Sequence, residues 1–250
     1  MPVKCPFPLL IAVLVSASLL LGGASCQPAW AILVDGVLDD WGVFPGPYSN
    51  GPSQWVPLAG IDYVQEDQDP AIDFLNPGWG GQPYDVEAIY FTQDAATAFF
   101  AVVTGFPLAG YGGYTAGDFA FDFGSDGTYE YGLETVGAHD LYGNVTWINP
   151  IFGVSSPYAI GSGTNLGPAA FGYVPGQYAA NTHYAFEMGI PLSYFSGYWD
   201  EPGEHPNLTV HWTMSCGNDA LNMRLVPEPS TWLLLTTGLL GLARRRFLKP

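Results

Sequence analysis

Glu66, Asp67, Asp69 and Asp73 place four carboxylates within eight residues, and Gln68 and Asn76 add amide oxygens nearby. Ca²⁺ takes about six to eight oxygen ligands from carboxylates, amides and backbone carbonyls. This loop therefore has the composition of a cation site, and without a cation its like charges repel at short range. A solvated acidic loop is the alternative. Asp122 and Asp126, followed by Gly127, are a sparser set that a plain hairpin turn explains as well. Neither set has the alternating acids and terminal Glu of an EF-hand loop. Trp55, Trp79, Tyr111, Tyr114 and Trp199 all fall in Gly- or Pro-flanked stretches. Aromatic rings in such loops stack on pyranose faces while Asp, Asn and Gln side chains take the hydroxyls. These five are the candidate glycan contacts. Trp147 and Trp212 fall on strands and are expected in the core, and Trp41 follows a turn, where it would plug one end of a sheet sandwich.

Catalytic signatures are missing. There is no Gly-x-Ser-x-Gly elbow, no His-Glu-x-x-His and no P-loop. The histidines at 139, 183, 205 and 211 show no ligand spacing. A carboxylate pair can hydrolyse glycosides, but among so many acids some pair, such as Glu134 with Glu187, always qualifies. The chain is expected not to be an enzyme, with a glycoside hydrolase as the lesser alternative.

These side chains need a scaffold, and its pattern is that of strands. No long segment repeats its apolar residues every 3.6 positions, so no long helix is expected. Asp85 to Gln93, Ala98 to Thr104, Asp118 to Phe123, Tyr129 to Val136, His183 to Ile190 and Leu208 to Met214 read as strands between turn signals. In Asp118 to Phe123 the three Phe share one face, and Gly124-Ser125-Asp126-Gly127 turns the chain into the next strand. Ala98 to Thr104 is apolar throughout, as a strand covered on both faces would be. The Gly-rich stretch from Gly153 to Gly176 allows one weak strand near Ala169 to Val174. The expectation is an all-β fold, a β-sandwich, in a single domain over residues 32–225.

Charge narrows the partners. Residues 32–225 hold 22 acidic side chains and one basic one, Arg224, for a formal charge of −21. Such a surface excludes nucleic acid and anionic headgroups as partners and attracts cations. Cys5 and Cys26 lie in the first 31 residues, leaving Cys216 without an intramolecular partner, so a buried inert thiol is expected.

The two ends differ from the body. Lys4 and the apolar run Phe7 to Leu21 read as a signal peptide, residues 1–31, and Ala29-Trp30-Ala31 fits the small-x-small rule for cleavage before Ile32. Lipidation at Cys26 and an uncleaved anchor are the alternatives. Residues 226–250 hold Pro227-Glu228-Pro229, an apolar run from Trp232 to Ala243 and Arg244-Arg245-Arg246. The arginines favour the cytoplasmic side, which leaves the body outside. The apolar run is only 12 residues long, short of the roughly 20 that a stable span needs. It is therefore expected to form a single hydrophobic helix tethering the chain transiently to the inner membrane, with a permanent anchor as the alternative.

Break, apolar run and basic end, in that order, resemble the PEP-CTERM sorting signal of Gram-negative bacteria that make exopolysaccharide. The resemblance implies that exosortase, a membrane protease-transpeptidase, recognises Pro227-Glu228-Pro229 and removes the tail, sending the body to the cell surface or extracellular matrix. Within the body, Ile32 to Trp41, Asp85 to Val103, Gly117 to Phe123 and Tyr184 to Leu192 resemble successive pieces of family 9 carbohydrate-binding modules and DOMON-like domains. That resemblance implies a jelly-roll-like sandwich. His211 to Asp219, Asp39 to Val43 and Gln65 to Gln68 resemble signatures of one group of PEP-CTERM proteins to which no activity is attached. Together these features lead to an exported, non-catalytic module that contacts exopolysaccharide, with Ca²⁺ as a possible structural ion. A structural or adhesive polyanion bridged by cations is the alternative.

Overall fold

The computed structural model describes residues 31–44, 54–65, 80–152, 155–178, 183–195, 197–199 and 206–226. Among them there is no α-helix, only strands and short 3-10 turns. The strands are β1 (Asp62–Gln65), β2 (Val86–Gln93), β3 (Thr97–Thr104), β4 (Phe119–Phe123), β5 (Tyr131–Leu133), β6 (Asp140–Ile148), β7 (Ala159–Pro168), β8 (Ala170–Tyr178), β9 (His183–Pro191), β10 (Leu208–Thr213) and β11 (Ala220–Leu225). They form a five-stranded sheet in the order β1-β2-β3-β9-β8 and a six-stranded sheet in the order β11-β10-β4-β5-β6-β7. Every paired neighbour is antiparallel. The described residues are thus all-β with two antiparallel sheets, as a β-sandwich requires.

The inner faces meet in one aromatic-rich core. Phe91, Phe100, Phe186 and Met188 from the first sheet meet Phe119, Phe121, Phe123 and Trp212 from the second. Phe100 and Phe121 rings lie 5.2 Å apart across the two sheets. The expected hairpin is present, with Phe119 opposite Leu133 and Phe121 opposite Tyr131. Yet all five residues of β4 are buried, including the outward Ala120 and Asp122.

That outer burial comes from the β6–β7 hairpin, which bends over its own sheet. Register shifts between Gly143, Thr146 and Trp147, with Asn144 at φ 52°, bend the ribbon. Trp147 and Ile160 then sit on Gly132, where an added Cβ would lie 2.6 Å from the indole. The Pro157 carbonyl meets His211 Nε2 at 2.8 Å, and the Tyr158 carbonyl accepts the Asp118 N–H at 2.7 Å. Trp147 is accordingly half-buried against the outer face rather than in the core, while Trp212 is fully buried as expected.

The first sheet also has an outer cover. Leu38, Trp41, Val43 and Trp55 pack on Ala88, Tyr90, Ala101, Val103 and Ala185 in a second apolar cluster. The continuous apolar run of β3 is explained by these two cores, one on each face. Backbone packs directly on backbone beneath this cover: a Cβ on Gly172 would come within 2.4 Å of the Gly36 nitrogen. Trp41 therefore does not plug a sandwich end; it packs in the outer cluster with its indole N–H on Glu187 of β9, fully buried.

Three further corrections concern strands. The stretch expected to hold one weak strand carries both β7 and β8. β1 and β6 lie where no strand was expected. β11, with Leu221, Met223 and Leu225 inward, closes the six-stranded sheet just before the tail. Cys216 is free and buried, and burial pushes its thiol above the usual range.

Candidate functional site

The loop aromatics divide into two groups. Trp55 is fully buried in the outer cluster and Trp199 is 8% exposed. The Trp199 indole donates to Gln93 Oε1 at 2.8 Å, and its ring lies 5.6 Å from Phe195 and 5.8 Å from Phe91. Neither ring offers a face to a sugar, so both are core residues and not contacts. Their Gly- and Pro-rich surroundings mark loops folded onto the sheets rather than loops in solvent. Trp79 lies outside the described residues.

Tyr111 and Tyr114, by contrast, come together on Tyr84, a residue the loop criterion did not select. Tyr111 is 49% exposed and Tyr114 half-buried. The turn between them is closed by two backbone hydrogen bonds, Tyr111 N–H to the Tyr114 carbonyl at 3.1 Å and Tyr114 N–H to the Tyr111 carbonyl at 3.0 Å. Tyr84 presents its ring to Tyr111 at 5.6 Å and to Tyr114 at 6.1 Å, edge-on in both cases. Behind it lies Phe106 at 5.8 Å. Edge-to-face packing of this kind fixes the rings without side-chain ion pairs.

Glycines make room for this cluster. A Cβ on Gly80, at φ +114°, would lie 2.4 Å from the Tyr84 ring, and one on Gly112, at φ +61°, would lie 2.3 Å from its hydroxyl. Both positions need left-handed backbone, which glycine adopts freely. Burial, helped by Cys216, Tyr114 and Tyr111, raises the Tyr84 pKa, so the phenol stays a neutral donor. The result is a fixed group of three tyrosines with one ring half in water, able to stack on a sugar and bond its hydroxyls. The missed signal was Gly80-Gly81-Gln82-Pro83-Tyr84, the same Gly/Pro context that selected the other aromatics.

The acidic turn is the second candidate. Asp122, Asp126 and Glu130 each bring a carboxylate oxygen within 4.8 Å of the others. Glu130 was not anticipated, because it lies beyond the turn on the returning chain. Its pKa is raised by burial and by the charges of Asp122 and Asp126. Three carboxylates at this range could ligate a cation. They are also engaged with the turn itself: Asp122 accepts the N–H groups of Asp126 at 3.1 Å and Gly127 at 2.8 Å, and Glu130 accepts that of Phe123 at 2.8 Å. Glu66, Asp67, Asp69 and Asp73 lie outside the described residues, as do Pro227, Glu228, Pro229, Arg244, Arg245 and Arg246.

Other buried polar groups are held within the fold. His183 Nε2 lies 2.6 Å from Glu87 Oε1, with both side chains buried and Gln82 Nε2 within 2.9 Å of the imidazole. Asp118 accepts Thr135 N–H and Ile160 N–H, both at 2.9 Å, and burial raises its pKa to about 6. Glu187 Oε2 accepts the N–H groups of Asp35 at 3.1 Å, Gly36 at 2.5 Å and Val37 at 3.1 Å. The Glu134 carboxylate instead accepts the Ala138 N–H at 2.9 Å beyond the end of β5 in the other sheet. Glu134 and Glu187 thus serve separate structural roles.

Residues 225–246 match the family described as the PEP-CTERM protein-sorting motif. The match lies in the tail and leaves the sandwich to be judged on its own geometry. No curated protein and no solved structure matches the chain. No helix among the described residues is long and apolar enough to cross a membrane, and the tail's expected hydrophobic helix lies outside them.

Proposed function

We propose that this chain, whose PEP-CTERM motif is the recognition signal for exosortase processing of an exported protein, delivers a non-catalytic glycan-contacting sandwich to the cell surface or exopolysaccharide matrix. The Tyr84–Tyr111–Tyr114 cluster carries this reading. It is aromatic, held by glycine turns, and presents a half-exposed ring. Uncharged sugars suit it better than anionic ones, because the body around it is strongly acidic. The jelly-roll-like type expected from the resemblance to family 9 carbohydrate-binding modules agrees with two antiparallel sheets but is not needed for the reading.

The test is retention of the processed protein on exopolysaccharide from its own host. Wild type is expected to be retarded, and Tyr111→Ala to elute freely at unchanged melting temperature. A wild type that passes unretarded, with and without Ca²⁺, rules the proposal out.

A second reading, a structural or adhesive polyanion bridged by cations, is favoured by the convergence of Asp122, Asp126 and Glu130. On that reading Ca²⁺ is a structural ion, and the acidic surface is what the matrix uses.

A further inference from the structure

Carboxylates gather where the body begins. Burial raises the pKa of both Asp40 and Glu187, and the charges of Asp35 on Asp40 and of Asp40 on Glu187 add to it. Asp39 stands exposed beside them. No lysine or arginine is available to balance them. Arg224, the only such side chain in residues 32–225, lies on β11 of the other sheet. His183 stands on the same strand as Glu187 but is paired with Glu87.

Glu187 is satisfied by N–H donors from the chain segment that covers it. Asp40 is not. Its Oδ2 accepts the Leu33 N–H at 2.5 Å, while its Oδ1 is shielded from water and makes no hydrogen bond. The amides of Asp40 and Trp41 lie close enough to offset part of the burial, but the Trp41 N–H is directed to the Leu38 carbonyl at 3.1 Å. A shielded acceptor without a donor is destabilising and calls for an explanation.

We propose that Asp40 is the ion-pair site for the α-ammonium group of Ile32 released when the signal peptide is cleaved after Ala31. The proposal rests on the export reading and on that cleavage position. Hydrolysis adds the hydroxyl of water to the Ala31 carbonyl and a hydrogen to the Ile32 nitrogen, which takes up a further proton at neutral pH. An amide with one N–H and no charge becomes a cation with three donors. Its nitrogen is one residue before the Leu33 N–H that already meets Asp40, and one residue spans only about 3.5 Å. The Ile32 side chain packs against the outer apolar cluster, which anchors the residue that carries the new ammonium. Processing therefore completes a site that the precursor leaves short of one donor and one positive charge. The mature protein should be the more stable form, locked only after export.

The test uses protein exported and processed by its host. N-terminal sequencing should begin at Ile32; any other start refutes the cleavage position before stability enters. Two variants follow: Asp40→Asn, and a Gly-Ser insertion directly before Ile32 that keeps Ala29-Trp30-Ala31 but moves the ammonium two residues away. Each is expected to lower Tm at pH 7 by a few degrees, and the combined variant no further, because both break one pair. The pair raises the amine pKa above its usual value of about 7.8. The deficit of the insertion variant is thus full where Asp40 is ionised and the amine still charged, and it fades as pH rises through the amine's raised pKa. Should Asp40→Asn fail to fold, the insertion variant and its pH profile decide alone. With an Ile32 start confirmed, an unchanged Tm on insertion, or a deficit independent of pH, overturns the proposal.

Discussion

The Glu187 carboxylate takes the Trp41 indole N–H at 2.5 Å across 146 residues of sequence. Both side chains are fully buried. The contact ties the first described segment of the body to the strand at the centre of the chain's second half. Burial drives the Glu187 pKa up to about 7, although Trp41, Gly36 and Asp35 pull it down by donating hydrogen bonds.

A definite pH profile follows. The folded state holds the Glu187 proton more tightly than the unfolded chain, whose ordinary value is about 4.3. Stability is therefore greatest below that ordinary pKa and declines as pH rises from there to about 7, then levels off. The decline from this group alone should be about 4 kcal/mol at most. Denaturant titrations across this range should show it, and Glu187→Gln should flatten it. A Glu187→Gln profile parallel to wild type would remove Glu187 as its source.

Trp41 and Trp55 should be stability residues and Tyr111 a binding residue. Trp41→Ala or Trp55→Ala empties a buried site of the outer cluster and should cost about 3–5 kcal/mol. Tyr111→Ala removes a half-exposed ring and should cost less than about 1 kcal/mol while abolishing glycan retention. Thermal unfolding and retention measured on the same three variants separate the roles. A Trp55→Ala protein that keeps its Tm yet loses retention would reverse the assignment.

The sheet pairs with clean alternation were legible. β4 shows its three inward Phe, and β10 its inward Val210 and Trp212, because one face of each strand meets a single core. The β6–β7 ribbon was not. Its residues Gly161, Ser162, Gly163, Thr164 and Asn165 are all exposed, so no apolar period marks the strand. Nor could a local pattern reveal the two outer covers. Trp41 and Trp55 look like loop aromatics until the sheet beneath them is known. At the site, Tyr111 and Tyr114 stood out by their glycines, whereas Tyr84 reaches them only through folding. Asp122 and Asp126 share a turn, but Glu130 joins them because the hairpin returns beside it.

Gly172 should tolerate no side chain. A Cβ there would lie 2.4 Å from the Gly36 nitrogen and 2.8 Å from Asp35 backbone atoms, none of which can swing aside as a side-chain tip does. Gly172→Ala should lift the Asp35–Val37 segment off Glu187. The expected result is a loss of about 2 kcal/mol or more, with amide exchange accelerated at residues 35–37. Unchanged protection at those amides would contradict the close approach.

If cations bridge or brace the body, the acidic turn is where the described structure would feel them. Millimolar Ca²⁺ should raise Tm by RT ln(1 + [L]/Kd) converted to degrees, a chelator should reverse it, and Glu130→Gln should abolish the shift. A melting temperature indifferent to Ca²⁺ and chelator removes this turn as a cation site.

The described sandwich closes just before the tail begins. Leu225 closes β11 with 2% of its surface exposed, and the next residue, Val226, is 59% exposed. β11 is an edge strand, and Pro227 lacks the N–H needed to extend its ladder. Cleavage at the Pro-Glu-Pro motif is therefore expected to leave the described sandwich folded. Replacing Pro227, Glu228 and Pro229 with Ala should leave the sandwich folded and block processing by exosortase. The full-length chain should then accumulate in the membrane fraction, with a protease-resistant body of wild-type size. The 12-residue apolar run should hold it only weakly, since a span that short must thin the bilayer or draw in flanking residues. Extending that run by about eight leucines should strengthen retention of the variant. Wild-type processing of the triple-Ala chain, judged by intact mass of the released protein, would show that the motif is not what directs cleavage.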